Sequence, residues 1–510
     1  MRKSVRFAAA ALVALQLVPR AGAAQPAPAP TPAPQPPQPQ PQPQPPDAAG
    51  QPAPPAPAPD GAAKSPPPPP PVEPSKSPAP APPAAADTTP AVSKLKVTIY
   101  GFVQVDLAYN TTQSCLDFCS NFPIQKSGTY KGDHARTIYS ARDSRFGVKL
   151  AAPDAGKIKT TGTLEMDFFG PTTTTEQGTW VNPVLRFRHA YLKFETPIVD
   201  VLIGQTWNLF GWSAGYLVTS VQEPGLPGQM FQRTPQVRLT KALKLGGDAT
   251  LELAAAALRP PQQDSGTPEG AAGARLLLGS WTGLHTVYMS GQSIQPASIG
   301  VSADVRRFRI PELATAPKRA HSRVGGGVAF DAYLPIVTAK KTAKDNALSV
   351  IGELVIGRGT SDMYTALGAA GTVNAAVPPA NPGDPPGTYT PNFDAGFAAY
   401  DANGNLELIK WTSYMAGVEY YPPGADGRIG VFANYGHMKS SNSSKFGGAA
   451  VMDPVAGKTR ANESFYNAGV FFDPTKATRI GVDGGLYDDH YVDGTKAKNY
   501  SLMSSAFLFF

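Results

Sequence analysis

Long hydrophobic runs are missing from most of this 510-residue chain. After residue 24 no stretch approaches the roughly 20 uninterrupted apolar residues that an α-helical span needs, which excludes a helical inner-membrane protein. Cysteine is nearly absent: the two present, Cys115 and Cys119, are separated by three residues in a polar stretch. In an exported chain such a pair reads as a small loop disulfide. No histidine or second cysteine pair lies beside it at ligand spacing, so neither a metal site nor a cofactor is expected. Histidine is scarce as well. The six, at positions 134, 189, 285, 321, 437 and 490, form no metal-ligand pair and none stands near a glycine-flanked serine, so hydrolytic chemistry has no local signature. A nucleophile and base assembled from distant strands would leave none either, and the remaining pattern does not read as an enzyme.

What is present begins with an export signal over residues 1–24. Arg2, Lys3 and Arg6 form a basic start, Phe7 to Val18 an apolar run too short to anchor, and Ala21-Gly22-Ala23 a small-residue cleavage site. Removing this segment takes off more than half of the formal net charge of +7, so the basic balance does not point to nucleic acid. Residues 25–92 are almost entirely Pro, Ala and Gln and hold more than half of the 55 prolines. Such a tract cannot build a core; it favours extended polyproline II and reads as a solvated periplasmic linker. Two roles are open to it, a plain spacer or an arm that touches peptidoglycan.

From Lys96 the chain turns to short alternating segments. Val97, Ile99, Val103, Val105, Leu107 and Tyr109 share one face of a strand while Thr98, Gln104 and Asp106 share the other. Around 157–169, Leu164, Met166 and Phe168 oppose Thr163, Glu165 and Asp167 in the same way. Alternation alone suits a soluble sandwich or a membrane barrel; the connections separate them. Sixteen segments can be read between 97–109 and 496–510, the eighth to tenth at 271–280, 284–292 and 322–336. Tight turns alternate with long loops along the whole series, the mark of a barrel with one short-turn rim and one long-loop rim. Residues 96–510 are therefore read as an all-β, sixteen-stranded antiparallel transmembrane barrel. Arg306-Arg307-Phe308-Arg309 reads as a second candidate for a basic constriction; were it instead one strand of a further hairpin, the count would be eighteen. The last segment ends at the aromatic Phe510, which reads as a signal for barrel assembly machinery.

Several runs carry a family likeness: Tyr100-Gly101-Phe102-Val103 with Asp106, Ala141-Arg142-Asp143-Ser144-Arg145-Phe146-Gly147, Glu165-Met166-Asp167-Phe168-Phe169-Gly170, Leu185-Arg186-Phe187-Arg188-His189-Ala190-Tyr191, and Gly204-Gln205-Thr206-Trp207. In these the first half of the barrel resembles the DcaP-like family of trimeric outer-membrane porins. The resemblance implies a homotrimer that passes small solutes with a preference for anions. Members of that family carry a coiled-coil segment where this chain has its Pro-rich tract.

Strand parity then names the groups that would face the water column. Asp143, Arg145 and Lys149 oppose Phe146, Val148 and Leu150; Arg186 and Arg188 oppose Leu185, Phe187 and Tyr191; Arg238 opposes Val237 and Leu239. Arg145, Arg186, Arg188 and Arg238 would form a basic wall, with Glu165 and Asp167 facing it from the strand between. Either the wall attracts anions, or its charges neutralise one another and brace the barrel. The same parity puts His189 near the membrane boundary. Phe210 and Trp212 stand in an unusually aromatic loop, which folds into the lumen as a constriction or packs on a neighbouring subunit or lipopolysaccharide. Asp488, Asp489 and Asp493 read as a solvated outer turn. The expected function is passive diffusion of small hydrophilic solutes across an outer membrane, among lipid and lipopolysaccharide. A cell-wall tether and a phosphate-selective channel are the competing readings.

Overall fold

The computed structural model describes residues 95–115, 122–171, 178–179, 181–212, 227–263, 265–287, 291–311, 320–364, 372–373, 396–400, 406–446, 450–451 and 459–510. The export signal, the Pro-rich tract and Cys119 lie outside them. The chain divides into residues 1–87 and a second unit that begins at Thr88, and the barrel is built entirely from the second.

Seventeen strand segments join in one sheet, and two of them make up one stave, so sixteen staves are seen among the described residues. They are β1 (Lys96–Asn110), β2 (in two pieces, Arg136–Ser140 and Arg145–Ala151), β3 (Lys159–Asp167), β4 (Arg186–Glu195), β5 (Asp200–Trp207), β6 (Arg233–Gly246), β7 (Ala249–Leu258) and β8 (Glu269–Val287). The second half comprises β9 (Gly291–Pro311), β10 (Ala320–Val337), β11 (Ala347–Arg358), β12 (Lys410–Tyr421), β13 (Ile429–Ser440), β14 (Arg460–Thr475), β15 (Thr478–Tyr491) and β16 (Lys496–Phe509). Each pairs antiparallel with the next, and β1 pairs back onto β16 from Phe102↔Phe509 to Asn110↔Ser501, so the sheet closes. At the seam Gly101 and Phe510 exchange backbone hydrogen bonds of 3.0 Å in both directions. Closure leaves no unpaired edge for lipid to meet.

The burial pattern sorts the two faces. On β11, Ser349, Ile351, Glu353 and Val355 are buried while Val350, Leu354 and Ile356 are exposed. The exposed series is wholly apolar while the enclosed one mixes Ser349 and Glu353 with Ile351 and Val355, which is the reverse of a soluble sandwich and the arrangement a lipid-facing barrel requires.

Three expectations change. The eighth and ninth staves run on where a turn was expected at 281–283: β8 extends to Val287, β9 begins at Gly291, and β9 absorbs Arg306 to Arg309 into the wall. No additional hairpin forms there, and the stave count stays at sixteen. A β-bulge interrupts β4, because Glu165 pairs with His189 but Met166 with Phe187, leaving Arg188 as the extra residue. Parity flips at that point, so His189 and Tyr191 turn inward rather than toward the membrane boundary. Lastly, Asp488 and Asp489 lie within β15, and only Asp493 occupies a turn.

Gly326 in β10 adopts φ +122, and a Cβ there would stand 1.9 Å from the Asp304 carbonyl oxygen of β9. Gly326→Ala is expected to lower stability by roughly 1–3 kcal/mol, read as an earlier urea midpoint in detergent. An unchanged midpoint would show that the wall relaxes around the added methyl.

Candidate functional site: the lumen

A sixteen-stranded tube is too wide for its own side chains to fill, and among the described residues two of the segments that enter it set its shape. The first follows β5. Asn208 Oδ1 accepts from the Phe210 N–H at 2.9 Å, turning the chain inward at once. Leu209 packs on Ala254, Leu258 and Ala271 of β7 and β8, and Phe210 on Met230, Ala329, Val355, Trp411 and Met438. The Gly211 N–H donates to Ser302 Oγ of β9 at 3.0 Å, and on the return the Met230 N–H donates to Glu353 Oε1 of β11 at 2.8 Å. Gly436 of β13 lies against the Pro227 carbonyl. The segment therefore reaches across the interior from β5 to β13.

The second insert comes from the opposite rim. Only Glu269 to Leu278 of β8 pair with β7, and the remainder pairs solely with the start of β9 as a hairpin, with a register shift at Pro296/Ala297. This hairpin turns into the lumen. His285 Nδ1 lies 2.8 Å from Glu419 Oε2, the Thr286 N–H donates to Glu419 Oε1 at 2.7 Å, and Thr286 Oγ1 meets Tyr421 Oη at 2.6 Å. Trp281 Nε1 donates to the Pro335 carbonyl at 2.6 Å, and Gln292 Nε2 to Asp473 Oδ2 at 3.1 Å. Leu284 joins a buried cluster with Tyr333, Ile351, Met415, Tyr421, Phe432, Phe465 and Phe471.

Apart from Leu209 and Trp212, which lie against β7 and β8, the two inserts lean on β9–β14, so the interior is lopsided. Inward side chains there are sealed: Ser349, Ser413, Tyr421 and Glu419 are all 0 % exposed. Along β2–β8 the inward groups Lys149, Thr163, Arg186, Tyr191, Arg238, Glu252 and Arg275 remain exposed or half-buried. Among the described residues the open inward surface lies along that second wall.

Its charges fall into two kinds. Arg145, Arg188, Glu165 and Asp167 are buried and clasped together. Arg188 Nη1 lies 2.5 Å from Asp167 Oδ2 and its Nε 3.2 Å from Glu165 Oε1, while Arg145 Nη1 stands 3.4 Å from Glu165. Tyr100 Oη donates to Glu165 at 2.9 Å. Arg186 grips Asp167 with two parallel bonds of 3.0 and 2.7 Å, the bidentate geometry that strengthens such pairs, yet its side chain stays 32 % exposed. Asp143 is buried between the two pieces of β2. Of the four proposed wall arginines, then, Arg145 and Arg188 brace the barrel. Arg186 also reaches water, and Arg238 donates to Gln236 Oε1 at 2.9 Å and to the Trp207 carbonyl, with no ion pair among the described residues.

Parity reasoning missed Arg275, which is ion-paired with Glu252 at 2.6 Å and lies 4.6 Å from the Trp212 ring centre. Residues 271–278 read Ala-Ala-Gly-Ala-Arg-Leu-Leu-Leu and show no alternation, so parity gave no signal for it. Arg306, read from the sequence as part of a basic constriction, is instead buried among Glu269, Asp304 and Asp362 at 2.9, 3.0 and 2.5 Å, and the buried pair Arg460–Asp489 at 3.0 Å was not foreseen. Phe210 is buried and Trp212 half-buried. Cys115 is buried and disulfide-bonded.

The family model described as Gram-negative porin matches residues 78–502. The chain belongs to the Gram-negative porins. Its fold resembles the outer-membrane channel DcaP of Acinetobacter baumannii, with a TM-score of 0.55 and 19% identity over 82% of this chain and 97% of that one. More distant are the anion-selective porin from Comamonas acidovorans, with a TM-score of 0.44 and 11% identity over 82% and 100% of the two chains, and OmpT of Vibrio cholerae, with 0.45 and 10% over 82% and 99%. No curated protein matches the chain. This porin is thus an outer-membrane channel protein.

Asp167 is buried among three guanidiniums. Asp167→Ala is expected to cost about 3–5 kcal/mol, whereas Arg186→Ala, which removes a partly exposed partner, is expected to cost about 1 kcal/mol or less. Equal losses in detergent unfolding would contradict the division into bracing and water-facing charges.

Proposed function

We propose that this porin passes small hydrophilic solutes by diffusion and prefers anions such as small carboxylates. The observation that supports this is the imbalance of accessible charge on the open wall. Among the described residues Lys149, Arg186, Arg238 and Arg275 are inward and reach water, and Glu252 is the carboxylate beside them. Glu353, Glu419 and Glu463 of the packed half, and Asp483 and Asp489 of β15 beside it, are 4 % exposed or less, so a permeating ion does not meet them. A charge lining a narrow low-dielectric path acts strongly on ions inside it. Strong phosphate selectivity would need a continuous ladder of open basic groups, and Arg145 and Arg188 are withdrawn from it by Glu165 and Asp167.

In this reading Phe210 and Trp212 belong to the constriction, and the long-loop rim faces outward with the Pro-rich arm in the periplasm. The protein works as a homotrimer, as its resemblance to DcaP-like porins implies. β16 with Phe510 is the segment that barrel assembly machinery handles.

Planar-bilayer recording in a salt gradient tests this. The expected result is a steady conductance that closes in three equal steps, with a reversal potential on the anion side. Lys149→Glu combined with Arg238→Glu is expected to move that potential toward cations. A cation-selective wild type, or a potential indifferent to both substitutions, overturns the reading.

A further inference from the structure

Basic groups also gather where no permeating solute passes. At the long-loop end of β9–β13, Arg307, Arg309, Arg358, Lys410 and Lys439 are exposed and share the outward parity of Val305, Ile356 and Tyr414. Arg358 and Lys410 are direct cross-strand partners, and Lys439 pairs with Thr412 beside them. Like charges set opposite each other on an antiparallel ladder stand about 5 Å apart at Cβ and repel. Arg358, Lys410 and Lys439 have no ion-paired carboxylate among the described residues. An ion pair at the patch, Lys445 to Glu407, is long at 3.8 Å, and the Lys445 side chain is 57% exposed.

A concavity of about 390 Å³ opens at this spot, lined by Arg323, Arg358, Lys410, Lys445 and Glu407. Arg323 is held at its edge by a 2.9 Å bond from Nε to the Leu406 carbonyl. Immediately below, the outer wall becomes apolar through Val324, Val328, Phe330, Leu354 and Ile356, all exposed. Cations above and a continuous oily surface below are the two halves of a site for an amphiphile. Its head must carry several negative charges to relieve the Arg358–Lys410 repulsion, and its tail must lie along the barrel.

We propose that this concavity binds the phosphorylated headgroup of an outer-leaflet glycolipid, that is, lipopolysaccharide, with its phosphates between Arg358, Lys410 and Lys445 and its acyl chains on the apolar strip. Phosphate meets guanidinium and ammonium in charge-assisted hydrogen bonds, and basic groups at a membrane boundary add to one another in attracting anionic lipid. The assignment rests on the reading that the long-loop rim faces outward.

The full chain, purified in detergent and stripped of lipid, is titrated with rough-type lipopolysaccharide and followed by native mass spectrometry. Arg358→Ala with Lys410→Ala is expected to weaken binding about thirtyfold, while Arg358→Lys with Lys410→Arg keeps it near wild type. Conductance of both variants stays at the wild-type value, because these groups lie outside the lumen; that separates failure of this site from failure of the channel reading. The proposal is overturned if the alanine pair binds as wild type does, or if dephosphorylated lipopolysaccharide or phosphatidylcholine binds equally well. It is also overturned if inorganic phosphate alone, at millimolar concentration, displaces the lipid.

Discussion

A backbone in lipid has no water to bond with, so every N–H and C=O of the wall must find a partner within the wall. The seam between β1 and β16 meets that demand. Phe102, Phe507 and Phe509 pack together there, with ring centres 5.6 to 6.0 Å apart, beside the reciprocal bonds of Gly101 and Phe510. Once the ring is closed, side-chain parity is no longer free: each residue faces either lipid or lumen, and a change of side needs a bulge. The bulge in β4 is the case in point. It leaves Arg188 within reach of both Glu165 and Asp167 and brings His189 to Thr206 Oγ1 at 3.0 Å. From the lipid side Gln205 Nε2 donates to the Phe187 carbonyl at 3.0 Å, so the irregularity leaves less backbone polarity facing the membrane.

The lumen is organised by the same economy of partners. Buried ions are costly unless their partners are close and numerous, and the packed half meets this with small closed groups. Arg306 is held by three carboxylates and Arg460 by Asp489 and Glu463. Asp362 and the Phe397 ring lie against Arg306, and the Ile124 N–H donates to Asp489 Oδ2 at 2.8 Å. Charge on the packed side is consequently structural, while on β2–β8 the buried Arg145, Arg188, Glu165 and Asp167 brace the wall and Lys149, Arg186, Arg238, Glu252 and Arg275 stay open. Selectivity then follows from which wall the inserts leave open as much as from the number of arginines.

Much of this could be read from the sequence. The alternation, the turn-and-loop rhythm and the inward parity of Arg145, Lys149, Glu165, Asp167 and Arg238 follow from a period of two, which the closed sheet enforces. The misplaced element, around 281–292, failed for a physical reason. Trp281-Thr282-Gly283 resembles a tight turn, and Leu284 to Gln292 continues as a plausible strand. Only the contacts to Glu419 and Tyr421, more than 130 residues away, show that this stretch is a hairpin inside the barrel. The bulge at Arg188 was equally hidden, since one extra residue leaves no mark in composition. Partner choice was the least legible: parity showed that Arg145 and Arg188 point inward but not that Glu165 and Asp167 would hold them out of the water.

The account turns on a single one-sided water path, and cysteine accessibility measures it directly. The disulfide at Cys115 leaves the native background quiet toward thiol reagents. Single cysteines at Lys149, Thr163 and Arg238 should react readily with a small charged methanethiosulfonate and reduce the current. Cysteines at Ser349, Glu419 and Asn467 should stay unreactive while the barrel is folded. Reaction at similar rates around the whole circumference would mean that both halves of the lumen carry water, and the lopsided pore would be wrong.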